Sequence, residues 1–380
     1  MQHAPGKPTG SVLLNVYKPD NFYRMRKNTL FVMLATGAIS IIFYACSKGG
    51  GSSDPQPETG FDKTAMLTNY ADNLVIPGYT TLQTQLQTLD AAVTTFLTTP
   101  TDANQQQAQS AFKNAYLQFE RVSVHQYGPA ETYLLGNFVN TFPADTVKIN
   151  TNIQSGTYNF ASTGTVAQQG LPALDYLLFG PGAVQQLSSA GRKKYVQDVL
   201  AQVKSLVDKT LADWKSTYRS QFIGNTRSDV GSPIGYLVNQ FAYEMDQLKG
   251  PRIGWPFGKQ SGGIVFADKC EAYYSGFSAA LAVENLTNLR NTYTGGDNKG
   301  IDDYLISLKK DQLNTDVLKQ FDVTLTKLKA IPDPMSAAFT GNADLVDAAY
   351  KEVQLLLTLL KTDVASATGV RITYQDSDGD

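Results

Sequence analysis

Histidine and cysteine are scarce in this sequence, with two of each in 380 residues. Two cysteines exclude a disulfide-dense scaffold and a Cys-rich zinc module. Two histidines, one of them His3, leave no room for a multi-His catalytic metal site, and no zinc site is recognisable. An excess of one charge is missing too. Thirty-two Lys and Arg face 34 Asp and Glu, a net charge of −2, so there is no basic footprint for nucleic acid. No Gly-rich loop precedes a helix in a strand–helix context, which argues against a nucleotide. No Ser/His/Asp triad can be argued either, because any such claim would hang on His125 alone. An apolar share of 42% is ordinary for a globular chain and excludes disorder over most of its length.

What is present starts with an address. Residues 24–27 read Arg-Met-Arg-Lys, an apolar run follows from Thr29 to Ala45, and Cys46 closes it. A basic patch, an apolar core and small residues before a cleavage point make a secretory signal. The run is shorter than the ~20 residues a spanning helix needs. An N-terminal membrane anchor with an incidental Cys is the alternative. Residues 1–24, polar and holding Pro5, Pro8 and Pro19, fit no signal, and Met25 is the expected true start. Residues 1–45 are therefore set apart from the fold, and 46–60, rich in Gly, Ser and Pro, are expected to act as a flexible tether.

Residues 1–45 carry five basic residues and one acidic, so the remainder keeps 27 basic and 33 acidic, with His125 its one histidine. Beyond the tether, 61–380 reads as all-α. In Arg192–Trp214, apolar residues fall at Tyr195, Val196, Val199, Leu200, Val203, Leu206, Val207, Leu211 and Trp214, one stripe on one helical face. Similar stripes run through Phe61–Leu97, Ala103–Val124, Ile234–Leu248, Ile264–Tyr293 and Asp344–Leu360. Pro77-Gly78 should kink the first. Ser232 before Pro233, Asp102 and Asn342 are the expected caps. Asn150–Val166 is expected to be a loop with a short hairpin, and Lys249–Gly263, dense in Gly and Pro, to be irregular. The expected architecture is two helical bundles packed side by side. Tyrosines at helical spacing are expected in the core, with hydroxyls at its rim.

Several segments carry a resemblance. Gly170–Gly180 reads GLPALDYLLFG, Phe112–Pro129 reads FKNAYLQFERVSVHQYGP, Asn140–Asp145 reads NTFPAD, Glu271–Leu286 reads EAYYSGFSAALAVENL, and the chain ends GVRITYQDSDGD. In this order they resemble the imelysin-like family over about residues 60–380, whose signature is Gly-x-His-x-x-Glu followed by an apolar helix. The resemblance implies an all-α fold of two bundle-like domains with a cleft between them, export, and a link to iron uptake; the founding member was described as a metallopeptidase. Cys46 after Ala45 similarly resembles the lipobox of bacterial lipoproteins. That resemblance implies a lipid anchor in the membrane and, with no Asp after the Cys, the outer membrane of a Gram-negative envelope.

The signature is altered here: Pro172 stands at the His position and Asp175 at the Glu position. Proline offers no ligand, and zinc hydrolysis needs about three protein ligands and an open position. Pro172 suits the first turn of a helix, and Gly170 the turn into it. Gly170, Pro172, Asp175, Glu120, Asp145, Arg252, Glu271 and Ser275 are the candidate cleft residues, with Trp255 beside Arg252 in the Gly-rich loop. Glu120, His125 and Asp175 are the candidate ligands for iron or another divalent cation. The competing reading makes Glu120 and Asp175 salt-bridged or capping groups, and His125 a helix C-cap. Asp376, Asp378 and Asp380 lack the closing Glu of a calcium loop and read as a solvated tail. The leading expectation is a non-catalytic binding protein of iron or metal acquisition that uses the cleft. A divergent metallopeptidase and a metal-free module docking on an outer-membrane transport protein are the alternatives.

Overall fold

The computed structural model describes residues 60–374, so the export segment, Cys46 and the terminal Asp residues lie outside the described residues. Seventeen α-helical stretches occur among them, with no strand. The first half holds α1 (Lys63–Asn69), α2 (Ile76–Thr98), α3 (Asp102–Ser123), α4 (Pro129–Thr132), α5 (Leu135–Asn140), α6 (Thr146–Ser155), α7 (Gly170–Phe179), α8 (Ala183–Gln186) and α9 (Ala190–Asp213). The second holds α10 (Arg219–Gly224), α11 (Pro233–Gln247), α12 (Ser278–Tyr293), α13 (Ile301–Ser307), α14 (Asp311–Lys329), α15 (Met335–Gly341), α16 (Ala343–Thr358) and α17 (Ala365–Thr368). None of these helices is long and apolar enough to cross a membrane.

Two groups of helices share one seam. On one side α2 packs along α3, with α9 against α2 and α7 against α9. On the other, α14 packs on α16 and α12, and α11 packs against α16. The pairing of α3 with α12 joins them. Apolar side chains drive this, as the periodicity of the stripes requires: Leu82, Leu86, Leu89 and Val93 of α2 are buried, as are Val196, Val199, Leu200 and Val203 of α9. The tyrosines go further inside than expected. Tyr70, Tyr79, Tyr195 and Tyr293 are fully buried, and their hydroxyls donate inside the core to Thr292 O (2.8 Å), His125 O (3.2 Å), Gln168 O (2.7 Å) and Asn314 Oδ1 (2.8 Å). Burial without these acceptors would forfeit a large part of what the rings gain.

Two prolines are accommodated within helical structure rather than ending it. Pro77 does not end the first helix; a π-helical turn, Tyr70–Val75, precedes it and the helix continues. Likewise Leu248–Gly254, expected to be irregular, is a π-helical extension of α11 with Pro251 inside it. Asn150–Val166 holds no hairpin: α6 covers its start and a 3₁₀ turn, Thr163–Gln168, follows. Ser232 caps α11 through the N–H of Gly235 (3.1 Å) with Pro233 at the first position. Thr101 rather than Asp102 caps α3, its hydroxyl accepting from Asn104 N. Asn342 stands at the start of α16 and makes no side-chain cap.

Trp214 is the largest fully buried side chain, edge-on to Tyr218 (4.7 Å between centroids), Phe222 (5.2 Å) and Tyr127 (6.1 Å). Trp214→Ala is expected to lower stability by about 3–5 kcal/mol, the usual range for emptying an aromatic site that cannot collapse. Urea denaturation measures it, and a loss below about 1 kcal/mol would mean that the cluster rearranges to fill the space.

Candidate functional site

A buried cluster of charges lies on the seam. Arg252, in the π-helical turn after α11, directs Nη1 to Glu120 Oε2 of α3 (2.7 Å) and to Glu271 Oε2 (3.0 Å), with all three side chains at most 7% exposed. Asn140, the last residue of α5, donates Nδ2 to Glu271 Oε1 (2.8 Å) and Glu120 Oε1 (3.3 Å). The Tyr116 hydroxyl reaches Glu271 Oε1 (3.1 Å). Asn285 of α12 donates Nδ2 to Glu120 Oε2 (3.1 Å), Ser123 Oγ (2.8 Å) and Glu244 Oε2 (2.8 Å). Glu244 of α11 also accepts from Ser123 Oγ (3.2 Å) and Gln240 Nε2 (3.3 Å). Two carboxylates thus contact one guanidinium, and a third, Glu244, lies within its electrostatic reach.

Burial drives the Glu120 carboxyl up to about 8, against the opposing pull of Arg252. Burial also works against the charge on Arg252, but Glu120 and Glu271 outweigh it and hold the guanidinium above its ordinary value. The cluster therefore favours keeping a charged Arg252 and a proton among its carboxyls.

Above this floor opens a cavity of about 680 Å³ between the two helix groups. Ser123, Asn140, Glu244 and Arg252 reach it from below. Tyr127, Tyr236, Tyr243, Trp255 and Tyr374 supply aromatic wall, and Asn137, Asn239, Gln240 and Gln247 supply amides. Trp255 is 57% exposed. The size is that of a small-molecule pocket.

Of the candidate cleft residues, Arg252 lines the cavity, as does Trp255 beside it; Glu120 and Glu271 stand behind the floor. The others are placed elsewhere. Asp175 accepts the backbone N–H of Tyr274 (2.9 Å) on Oδ2 and of Ser275 (3.0 Å) on Oδ1. Burial raises its carboxyl to about 6 despite those bonds. Pro172 sits in the first turn of α7. Gly170 has φ +76, and a Cβ there would meet Val139 O at 2.4 Å, so both the turn and the close approach demand glycine. Asp145 caps α6, accepting from Lys148 N (2.9 Å). Ser275 lies in an irregular stretch: the helix expected over Ile264–Tyr293 begins only at Ser278. The Asp175 carboxylate takes the N–H groups that a helix there would have used.

His125 sits 2% exposed, its Nδ1 3.3 Å from the Tyr127 hydroxyl, and burial lowers its pKa to about 3. Of the carboxylates expected beside it as ligands, Glu120 is bound to Arg252 and Asp175 to the backbone of residues 274 and 275. Among the described residues no three of His, Cys, Asp and Glu stand together as metal ligands. The donor set at the signature does not fit a hydrolytic zinc, which needs about three protein ligands. Cys270, also buried, has its thiol pushed up to about 12 by burial and is not a reactive group.

Sequence reasoning missed Glu244, Ser123, Tyr116 and Asn285. The available signal was polar residues, Gln240 and Glu244 four apart, on the buried side of a strongly apolar helix.

An all-α fold of two joined helix groups over a charged floor defines the class. The imelysin family model matches residues 75–362, and the chain belongs to that family. The chain is 22% identical over 333 residues to iron-regulated protein A of Synechococcus elongatus, covering 82% of this chain and 88% of that one. Its fold is similar to the crystal structure of a protein assigned as an iron-regulated protein A precursor from Parabacteroides distasonis (TM-score 0.70, 17% identity, 81% and 95% of the two chains). It is also similar to an imelysin-like protein from Psychrobacter arcticum (TM-score 0.65, 16% identity, 86% and 99%).

Two predictions follow the geometry. Asp175→Ala strands two partly buried N–H groups and should cost about 2–4 kcal/mol, while Asp175→Asn, which keeps an acceptor, should cost about half as much. Equal losses in chemical denaturation would show that the hydrogen bonds are not what Asp175 contributes. His125 is neutral in the fold and protonates near its ordinary value, about 6.5, when unfolded. Its contribution is present above 6.5 and is lost as pH falls toward about 3. The buried carboxyls Glu120 and Asp175 act oppositely, losing stability as pH rises toward about 8 and about 6. His125→Asn should therefore flatten the acid limb of a stability–pH curve by about 1.4 kcal/mol per pH unit relative to the parent. Parallel curves would contradict a buried neutral imidazole.

Proposed function

We propose that this protein is a non-catalytic, iron-associated binding protein of a bacterial envelope that takes its ligand in the cavity between the two helix groups. The observation that carries the reading is the use made of the signature positions. Pro172 cannot ligate, and both oxygens of Asp175 are engaged with backbone N–H groups. The neighbouring carboxylates Glu120 and Glu271 are bound to Arg252 rather than left to a metal. The signature positions are thus taken up by structural bonds, while a cavity of small-molecule size opens elsewhere, between the two helix groups. The iron association comes from the relatives: iron-regulated protein A is similar along most of its length. The envelope address rests on the apolar run ending at Cys46, with lipid on that Cys and residues 46–60 as tether. An outer-membrane transport protein is the partner this arrangement suits.

In a strain deleted for this gene and grown on limiting iron, the parent chain is expected to restore growth. Asn137→Trp, which places a large side chain at the exposed cavity wall, is expected not to. Equal rescue by both overturns the role of the cavity. Cleavage of casein by the purified full chain, abolished by a chelator, overturns the non-catalytic reading.

A further inference from the structure

The cavity floor carries one carboxylate that no cation satisfies in the way Arg252 satisfies its two. Glu120 and Glu271 share Nη1 of Arg252, whereas Glu244, 3% exposed and in the cavity wall, is held by the neutral donors Asn285, Ser123 and Gln240. With three acidic side chains, one of them keeping a proton, near one guanidinium, the floor projects negative potential into a partly desolvated space, where it is screened less than in bulk water. A second observation is independent of that charge. Arg252, 6% exposed and lining the cavity, has an Nε with no acceptor, and the Nε2 of Gln126 on the same wall has none. Buried donors left open in this way are normally filled by a ligand or water. The wall above is aromatic, with Tyr236 stacked on Tyr127 at 5.9 Å and Trp255 half in solvent. Aromatic faces beside a buried carboxylate suit an organic cation, through ring quadrupole and ion pairing together.

We infer that the cavity binds a small organic amine that also carries an oxygen acceptor, its ammonium group seated on Glu244 and its body against the Tyr236–Tyr243–Trp255 wall. This rests on the reading of the cavity as the binding site and narrows its ligand to a class. The ammonium group takes the place beside Glu244 that Arg252 occupies beside Glu120. The acceptor oxygen meets the open donors of Arg252 and Gln126.

The test is calorimetric titration of the full chain with tyramine and with tyrosol, which differ only in an ammonium group replaced by a hydroxyl. Tyramine is expected to bind about ten- to a hundredfold more tightly, the scale of one charge-assisted hydrogen bond in a sheltered site. Glu244→Gln should remove that preference, and Trp255→Ala, an exposed change, should weaken tyramine at unchanged Tm. Equal affinity for the two compounds, no binding of either, or a preference unmoved by both variants overturns the inference. If Glu244→Gln fails to fold, Trp255→Ala decides alone: weaker tyramine binding supports the inference and unchanged binding overturns it. Failure of tyramine while Asn137→Trp still abolishes growth rescue sinks the amine and leaves the cavity's binding role standing. Failure of both sinks both.

Discussion

The interaction on which the rest depends is the buried pairing of Arg252 with Glu120 and Glu271. Its three members come from α3, from the π-helical turn after α11, and from the irregular stretch before α12. One guanidinium therefore fixes elements of both helix groups at their seam. Such a pair is weak evidence for stability, since taking charges out of water costs about as much as their attraction returns. What it supplies is an exclusive geometry: shift any one element and a charge is left buried and alone, which is far more costly than the pair is favourable. Asn140 and Tyr116 complete that arrangement by donating to the carboxylate oxygens that Arg252 leaves free, and Asn285 adds a second donor to Glu120 Oε2.

Two further carboxylates show how the segment between Trp255 and α12 is held without regular structure. Asp175 receives the N–H groups of residues 274 and 275, and Asp333 receives those of 279 and 280 at the start of α12. Backbone donors that a continuous helix would have satisfied internally are satisfied instead from two distant elements. This frees Glu271 to turn inward to Arg252. The signature position that resembles a metal ligand in sequence thus acts here as a fastener, and the fastening is what presents the charged floor.

The helices were legible because their apolar stripes are long and regular. Arg192–Trp214 and Ile234–Leu248 match α9 and α11 to within a residue or two at each end. Gly170 and Pro172 were legible for local reasons, a positive φ and a first-turn proline. Ile264–Tyr293 was misread because periodicity carries no information about Asp175, about a hundred residues away in sequence, which competes for the backbone. Apart from Arg252, which lines the cavity, the expected cleft residues were drawn from the segments carrying the resemblance, and Gly170, Asp175 and Asp145 make structural contacts away from it. Glu244 and Ser123 went unseen because a buried polar residue in an apolar stripe announces itself only when its partners are known.

The cavity's wall and floor have a common origin, which bears on how such a site can change. Tyr236, Gln240, Tyr243, Glu244 and Gln247 all come from one face of α11. The register of that helix is set at its start by the Ser232 cap and Pro233, and along its length by Asn239, which donates to Arg371 O (2.9 Å) and accepts from Thr373 N (2.7 Å). The segment at Thr373 and Tyr374 is thereby held against the same cavity. A substitution that alters an exposed aromatic changes the wall alone. One that slips α11 by a residue would move aromatic wall, amides and Glu244 together and unseat the partners of Asn285. Ligand preference can therefore drift at the rim while the charged floor stays fixed, because the floor is bound into the packing of both helix groups and the rim is not.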